Sequence, residues 1–161
     1  MTRQAPLISL VVPVYKEEAS IRPFLARVEP ILESIGAYEI IFCLDPSPDR
    51  TEEVIEEEIK RNSRIGLIVM TRRFGQPSAT MAGLLQCSGE SCVVIDVDLQ
   101  DPPEIIPEMV KKWQEGFDVV YATRRSRQGE TLVKLMVSAF GYWVINRLSD
   151  VRIPRNTGDF R

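Results

Sequence analysis

Two aspartates separated by a single residue close a short apolar run. Cys92, Val93, Val94 and Ile95 lead straight into Asp96 and Asp98, then Gln100 and Asp101 follow before Pro102 and Pro103 end the extension. An apolar run of this kind bounded by turn signals reads as a buried strand. In an open parallel sheet the carboxyl ends of the strands are where ligands bind. Carboxylates and an amide oxygen at two-residue intervals make an oxygen-rich set suited to Mg2+ or Mn2+. Other polar residues recur at the ends of other apolar runs: Tyr15 and Glu17, Asp45, the pair Arg72 and Arg73, and Arg124, Arg125 and Arg127. Carboxylates holding a divalent cation, flanked by guanidinium forks, suit a diphosphate.

Composition narrows the chemistry further. The chain of 161 residues is long enough for one domain with a sizeable core, and its 44% hydrophobic and 27% charged residues are ordinary for a globular protein. A net charge of −3 gives no basic field for nucleic acid. Histidine is absent, which removes the commonest general base and zinc ligand. Cys43, Cys87 and Cys92 lack metal-ligand spacing and read as reduced thiols. The N-terminus MTRQAP has no signal-peptide core, and the most apolar stretch, Leu132–Leu148, is interrupted by Lys134, Ser138, Gly141 and Asn146. By itself the chain is expected to be soluble. It carries neither a P-loop nor a Gly-x-Gly-x-x-Gly after its first strand.

The elements that must position these residues alternate. Strands are expected at Leu7–Tyr15, Tyr38–Leu44, Ile65–Met70, the run into Asp96, and Phe117–Thr123. Between them, Ser20 is an N-cap for an amphipathic helix ending at Gly36, with a kink or break at Pro30. Asp49 and Glu52 have capping-box spacing for a helix to about Ile59, Ser78–Cys87 is a helix rich in small residues, and Ile105 to Trp113 forms another before Gly116. Strand and helix in alternation predict an α/β fold, a mostly parallel sheet with helices on both faces. Its carboxyl edge then gathers the polar loops into one site.

The stretches PVYKEE (13–18), LDPSPDRT (44–51), DVDLQDPPE (96–104), YATRRSRQGET (121–131) and NTGDFR (156–161) together resemble family 2 glycosyltransferases of the GT-A fold. The subgroup they look like is the polyprenyl-phosphate glycosyltransferases, of the bactoprenol glucosyltransferase and dolichyl-phosphate mannose synthase type. The resemblance implies a Rossmann-like nucleotide-diphospho-sugar transferase sheet and covers residues 1–161 as a single domain. It implies that Pro13, Tyr15, Glu17, Asp45 and Asp96 bind the nucleotide sugar and that Asp98 and Gln100 hold Mg2+ or Mn2+. Arg124 and Arg125, with Arg127, would close over donor and acceptor phosphate, and Asp159 and Arg161 would stand at the reaction centre. The activity implied is metal-dependent, inverting transfer of a hexose from a UDP-glucose-like or GDP-mannose-like donor to a polyprenyl phosphate, at the cytoplasmic face of the cell membrane. Relatives of this type continue past GDFR, usually into membrane helices, so the chain is expected to be incomplete at its C-terminus. Three departures stand out: Leu44 replaces a common acidic residue, Pro46 a common glycine, and Gln76 a frequent lysine.

Two other readings of the same residues are a phosphatase or phosphotransferase with Asp96 as nucleophile, and a nucleotide-binding module without turnover. Asp-x-Asp nucleophile sites normally follow a chain's first strand, whereas this one follows the fourth.

Overall fold

The computed structural model of the chain describes residues 8–122. All but Tyr121 and Ala122 of these belong to one compact unit. Four strands, β1 (Ile8–Val14), β2 (Tyr38–Leu44), β3 (Ile65–Val69) and β4 (Ser91–Val94), form a parallel sheet in the order β3-β2-β1-β4. The helices are α1 (Ile21–Ile35), α2 (Thr51–Arg61), α3 (Gln76–Gln86) and α4 (Ile106–Gln114), the last entered through a 3-10 turn at Pro103–Ile105. Arg124, Arg125, Arg127, Asp159, Arg161 and the stretch Leu132–Leu148 lie outside the described residues.

Every residue of β1 is buried, as expected for a strand with neighbours on both sides and cover on both faces. On one face α1 lays Ile21, Phe24, Leu25, Val28 and Leu32 against the sheet, with Phe24 meeting Phe42 edge to face at 6.3 Å. On the other, Val11, Ile41, Cys43 and Val94 pack with Ala79 of α3. The approach of α3 is close because Gly83 has no side chain. A Cβ added there would lie 2.5 Å from Val11 Cγ1 and 2.7 Å from Cys43 Sγ. The small residues of α3 thus serve contact with the sheet, and the expectation of helices on both faces holds.

Three local expectations are corrected. Helix α1 runs unbroken through Pro30. Its buried stripe continues beyond the proline to Leu32, and that burial outweighs the lost hydrogen bond, about 3 kcal/mol in a free helix. Ser20 does not cap α1 with its side chain: its hydroxyl donates to Glu17 Oε2 at 2.6 Å. Finally, the described part of the expected fifth strand, residues 117–122, is not a strand. Its composition is that of a strand, but a strand requires ladder partners, and among the described residues the segment has none. It borders instead a cleft of about 370 Å³ beside β4 and α4.

Candidate active site

In the strand order β3-β2-β1-β4 the direction of winding reverses between β1 and β4. The loops leaving these two strands therefore diverge and open a crevice at the carboxyl edge. A cleft of about 230 Å³ occupies it. Pro13 and Val14 close β1 at its floor, and Tyr15 and Glu17 line it from the loop beyond. Asp45 enters from the end of β2, Asp96, Val97 and Asp98 from the end of β4, and Gln76 and Ala79 from the first turns of α3. Pro13, Tyr15, Glu17, Asp45, Asp96 and Asp98 were singled out by sequence as site residues, and the fold brings all six together. Gln100 stands exposed outside this lining.

The first loop is held from β2's side by a ladder of hydrogen bonds. The backbone N–H groups of Lys16, Glu17 and Glu18 donate to Ser47 Oγ (3.1 Å), Thr51 Oγ1 (2.9 Å) and Asp49 Oδ2 (3.3 Å) respectively. Arg50 N–H returns one to Glu18 Oε2 at 2.8 Å. Thr51 is fully buried, and its hydroxyl also meets both Asp49 oxygens at 2.8 Å. Burial works against ionisation of Asp49. The hydroxyls of Ser47 and Thr51 and the N–H groups of Glu18 and Thr51 outweigh it and hold the carboxyl below its usual range. The capping-box reading of Asp49 and Glu52 located the start of α2, but the N-cap is Arg50 without a side-chain cap bond, and Asp49 instead fastens the cleft wall.

Asp45 is buried, 3% exposed, and its two oxygens are both engaged. Oδ1 accepts Phe74 N–H at 3.2 Å and Oδ2 accepts Gly75 N–H at 2.7 Å. That turn needs Gly75, whose φ of 88° lies in the left-handed region. Asp45 therefore fixes the loop ahead of α3 as well as lining the cleft. From that loop the Arg73 guanidinium lies 4.1 Å from the centre of the Tyr15 ring, and Arg72 lies 4.3 Å from that of Phe74. Among the described residues neither arginine forms an ion pair, and Arg73 sets a cation beside the carboxylates that line the cleft.

On the far side, Asp98 Oδ1 accepts Gln100 N–H at 3.0 Å, closing a turn in which Leu99 has a φ of 58°. Lys16, at 59°, is the other non-glycine residue of positive φ among the described residues. Both sit in loops that flank the cleft. Such conformations cost roughly 1–3 kcal/mol each and persist only where surroundings impose them. Sequence reasoning did not reach this strain, nor the contact from Gln76 Nε2 to Asp96 Oδ1 at 2.8 Å. Their visible signals were weak: a Gly-Gln-Pro helix start, and ordinary residues between charged ones.

Asp96 and Asp98 offer hard oxygen donors, the right chemistry for Mg2+ or Mn2+. No three carboxylates or thiols are grouped to hold a metal ion among the described residues. An ion here would be completed by ligand and water oxygens, which is the usual habit of Mg2+ beside phosphates. The donor set fits a shared metal rather than a protein-caged one.

A parallel α/β sheet with a carboxylate-lined crevice at its winding reversal defines a doubly wound, ligand-binding α/β fold. The sequence profile of glycosyl transferase family 2 matches residues 9–160, and the chain belongs to that family. An uncharacterised glycosyltransferase of Synechocystis sp. is 44% identical over 155 residues, covering 96% of this chain and 49% of the relative. A prophage bactoprenol glucosyl transferase homologue of Escherichia coli is 40% identical over 156 residues, covering 96% and 51%. The chain thus spans about half the length of the curated relatives it matches. Glucosyl-3-phosphoglycerate synthase of Mycobacterium tuberculosis, solved with Mn2+, UDP and phosphoglyceric acid, superposes with a TM-score of 0.63 at 23% identity, covering 94% of this chain and 54% of that one. That likeness shows the GT-A fold.

Proposed function

We propose that this chain carries the donor-binding part of a glycosyltransferase that moves a hexose from a nucleotide sugar, of the UDP-glucose or GDP-mannose class, to a polyprenyl phosphate with inversion. The observation that carries the reading is the convergence of Glu17, Asp45, Asp96 and Asp98 on one crevice at the sheet's winding reversal. The relative named as a bactoprenol glucosyl transferase homologue supports the lipid acceptor, and family membership speaks against the aspartyl-phosphate alternative.

In this reading Pro13, Tyr15 and Glu17 form the nucleoside side of the pocket, Asp45 its far wall, and Asp96 a charged acceptor toward the nucleotide. Asp98 and Gln100 hold Mg2+ or Mn2+. A divalent cation bound there would supply positive charge to offset the negative charge growing on the departing nucleoside diphosphate. Arg124 and Arg125, with Arg127, meet the phosphates, and Asp159 and Arg161 stand at the reaction centre, where Asp159 orients the acceptor. A phosphate monoester has its second pKa at about 6 and is largely dianionic at neutral pH. Such an oxygen attacks without a strong base, so a chain without histidine is adequate. Residues 1–161 act as one domain, in a longer protein anchored at the cytoplasmic face of the membrane. Among the described residues no helix is long and apolar enough to cross it.

The test is a thermal-shift titration with UDP, GDP and their sugars, with and without Mn2+. Ligand that binds the native state raises the midpoint by mass action. Metal-dependent stabilisation by one nucleotide class is expected, and Asp98→Ala should abolish its metal dependence. No shift across the panel sinks the donor assignment.

A further inference from the structure

We propose that Gln76 is a positioning residue of the donor site: its side-chain amide holds the Asp96 carboxylate in place from the first turn of α3. The inference rests on reading this cleft as the nucleotide-sugar site. Gln76 Nε2 donates to Asp96 Oδ1 at 2.8 Å, and both residues line the cleft.

What makes the contact a device is how firmly its base is held. Gln76 is the first residue of α3. Immediately before it, the N–H groups of Phe74 and Gly75 are bound by the buried carboxylate of Asp45, and Ser78 and Ala79 N–H both return to Gly75 O at 3.1 Å. Behind it, Ala79 is 2% exposed and Gly83 lies against Val11 and Cys43. The amide therefore reaches Asp96 from a fixed platform. One short segment joins the carboxylate at the end of β2 to the carboxylate at the end of β4.

The residue type follows from the chemistry. A carboxylate at 76 would repel Asp96, and an ammonium would offset its charge. An amide donates a hydrogen without adding charge, so it orients Asp96 without itself offsetting the carboxylate's charge. Gln76 is itself exposed, so its loss should leave the fold intact.

The decisive measurement is the Kd of UDP and GDP with Mn2+ for the whole chain, by calorimetry, in wild type, Gln76→Met and Gln76→Lys. Methionine keeps the shape and removes the donor, and lysine restores a donor of similar reach. Gln76→Met is expected to bind about tenfold more weakly, as befits a lost hydrogen bond to a charged group. Its melting midpoint without ligand should stay within about 2 °C of wild type. Gln76→Lys should return to within about threefold of wild type. Wild-type affinity in Gln76→Met, or equal losses in both variants, overturns the positioning role and leaves the donor site standing. Failure of wild type itself to bind either nucleotide overturns the donor site, and this role with it.

Discussion

The Thr51 hydroxyl accepts the backbone N–H of Glu17 at 2.9 Å, from a residue with no exposure to solvent. Through this bond the first residue of α2 fastens the loop that carries Tyr15 and Glu17 along the cleft. A left-handed Lys16 precedes the bonded group, so the loop holds a conformation it would not adopt unaided.

Replacing Thr51 by Val keeps the shape but removes the acceptor, leaving Glu17 N–H without it. A loss of about 1–3 kcal/mol is expected in urea unfolding, with weakened nucleotide binding, while Thr51→Ser should retain most of both. Equal behaviour of the Val and Ser variants would show that the hydroxyl is idle.

The contact of α3 with the sheet makes Gly83 a second test. Alanine gains about 1 kcal/mol of helix propensity over glycine. Here its Cβ would sit 2.5 Å from Val11 Cγ1, and overpacking of this kind costs about 1–3 kcal/mol. The two offset to a net destabilisation of about 0–2 kcal/mol, with reduced nucleotide affinity because the helix that carries Gln76 is pushed outward. Leu85→Ala on the same helix, 76% exposed, should change stability by less than about 0.5 kcal/mol.

These two cases show what was legible in the sequence and what was not. Strand ends such as Asp45 and Asp96 were readable because apolar runs stop abruptly at charged residues, and a parallel sheet sends all such ends to one edge. The family motifs then gave them roles. Thr51, Ser47 and Gln76 were not readable as site residues because their partners are remote in sequence and, for two of them, backbone N–H groups that carry no residue signature. Phe117–Thr123 has strand composition, yet pairing is a tertiary property that composition does not contain. Likewise Pro30 breaks an isolated helix, but not one whose buried stripe continues past it.

The thiols give the fold an alkaline limit. Burial pushes Cys43 from the ordinary 9.0 up to about 11, against a lowering from Gly83's backbone, and burial and the neighbouring thiols push Cys92 up to about 12. Between those limits the unfolded chain has lost thiol protons that the folded chain retains. The folded state binds more protons there, so stability falls as pH rises. The contribution is complete below about pH 9 and disappears as pH passes through about 11–12. Urea midpoints should decline across this window more steeply in wild type than in Cys43→Ala. Identical slopes would remove Cys43 as a cause.

Asp45 distinguishes a residue that builds the site from one that only touches ligand. Its two oxygens accept Phe74 and Gly75 N–H, at 3.2 and 2.7 Å, in a setting that is 3% exposed. Asparagine has one acceptor oxygen, and its amide would set N–H against a second backbone N–H. Asp45→Asn therefore leaves a buried donor without its acceptor, costing about 1–3 kcal/mol in the unliganded protein. The segment it frees leads into α3, so Gln76 loses its fixed approach to Asp96 and Arg73 its seat over Tyr15. Nucleotide affinity should fall beyond the effect of Gln76→Met alone, and the double variant should fall short of the sum because both changes act on one segment. A residue that served only as a ligand contact would give the opposite pattern: weaker nucleotide binding, an unchanged urea midpoint without ligand, and additivity with Gln76→Met. Urea unfolding and calorimetry on the four proteins of this cycle separate the two.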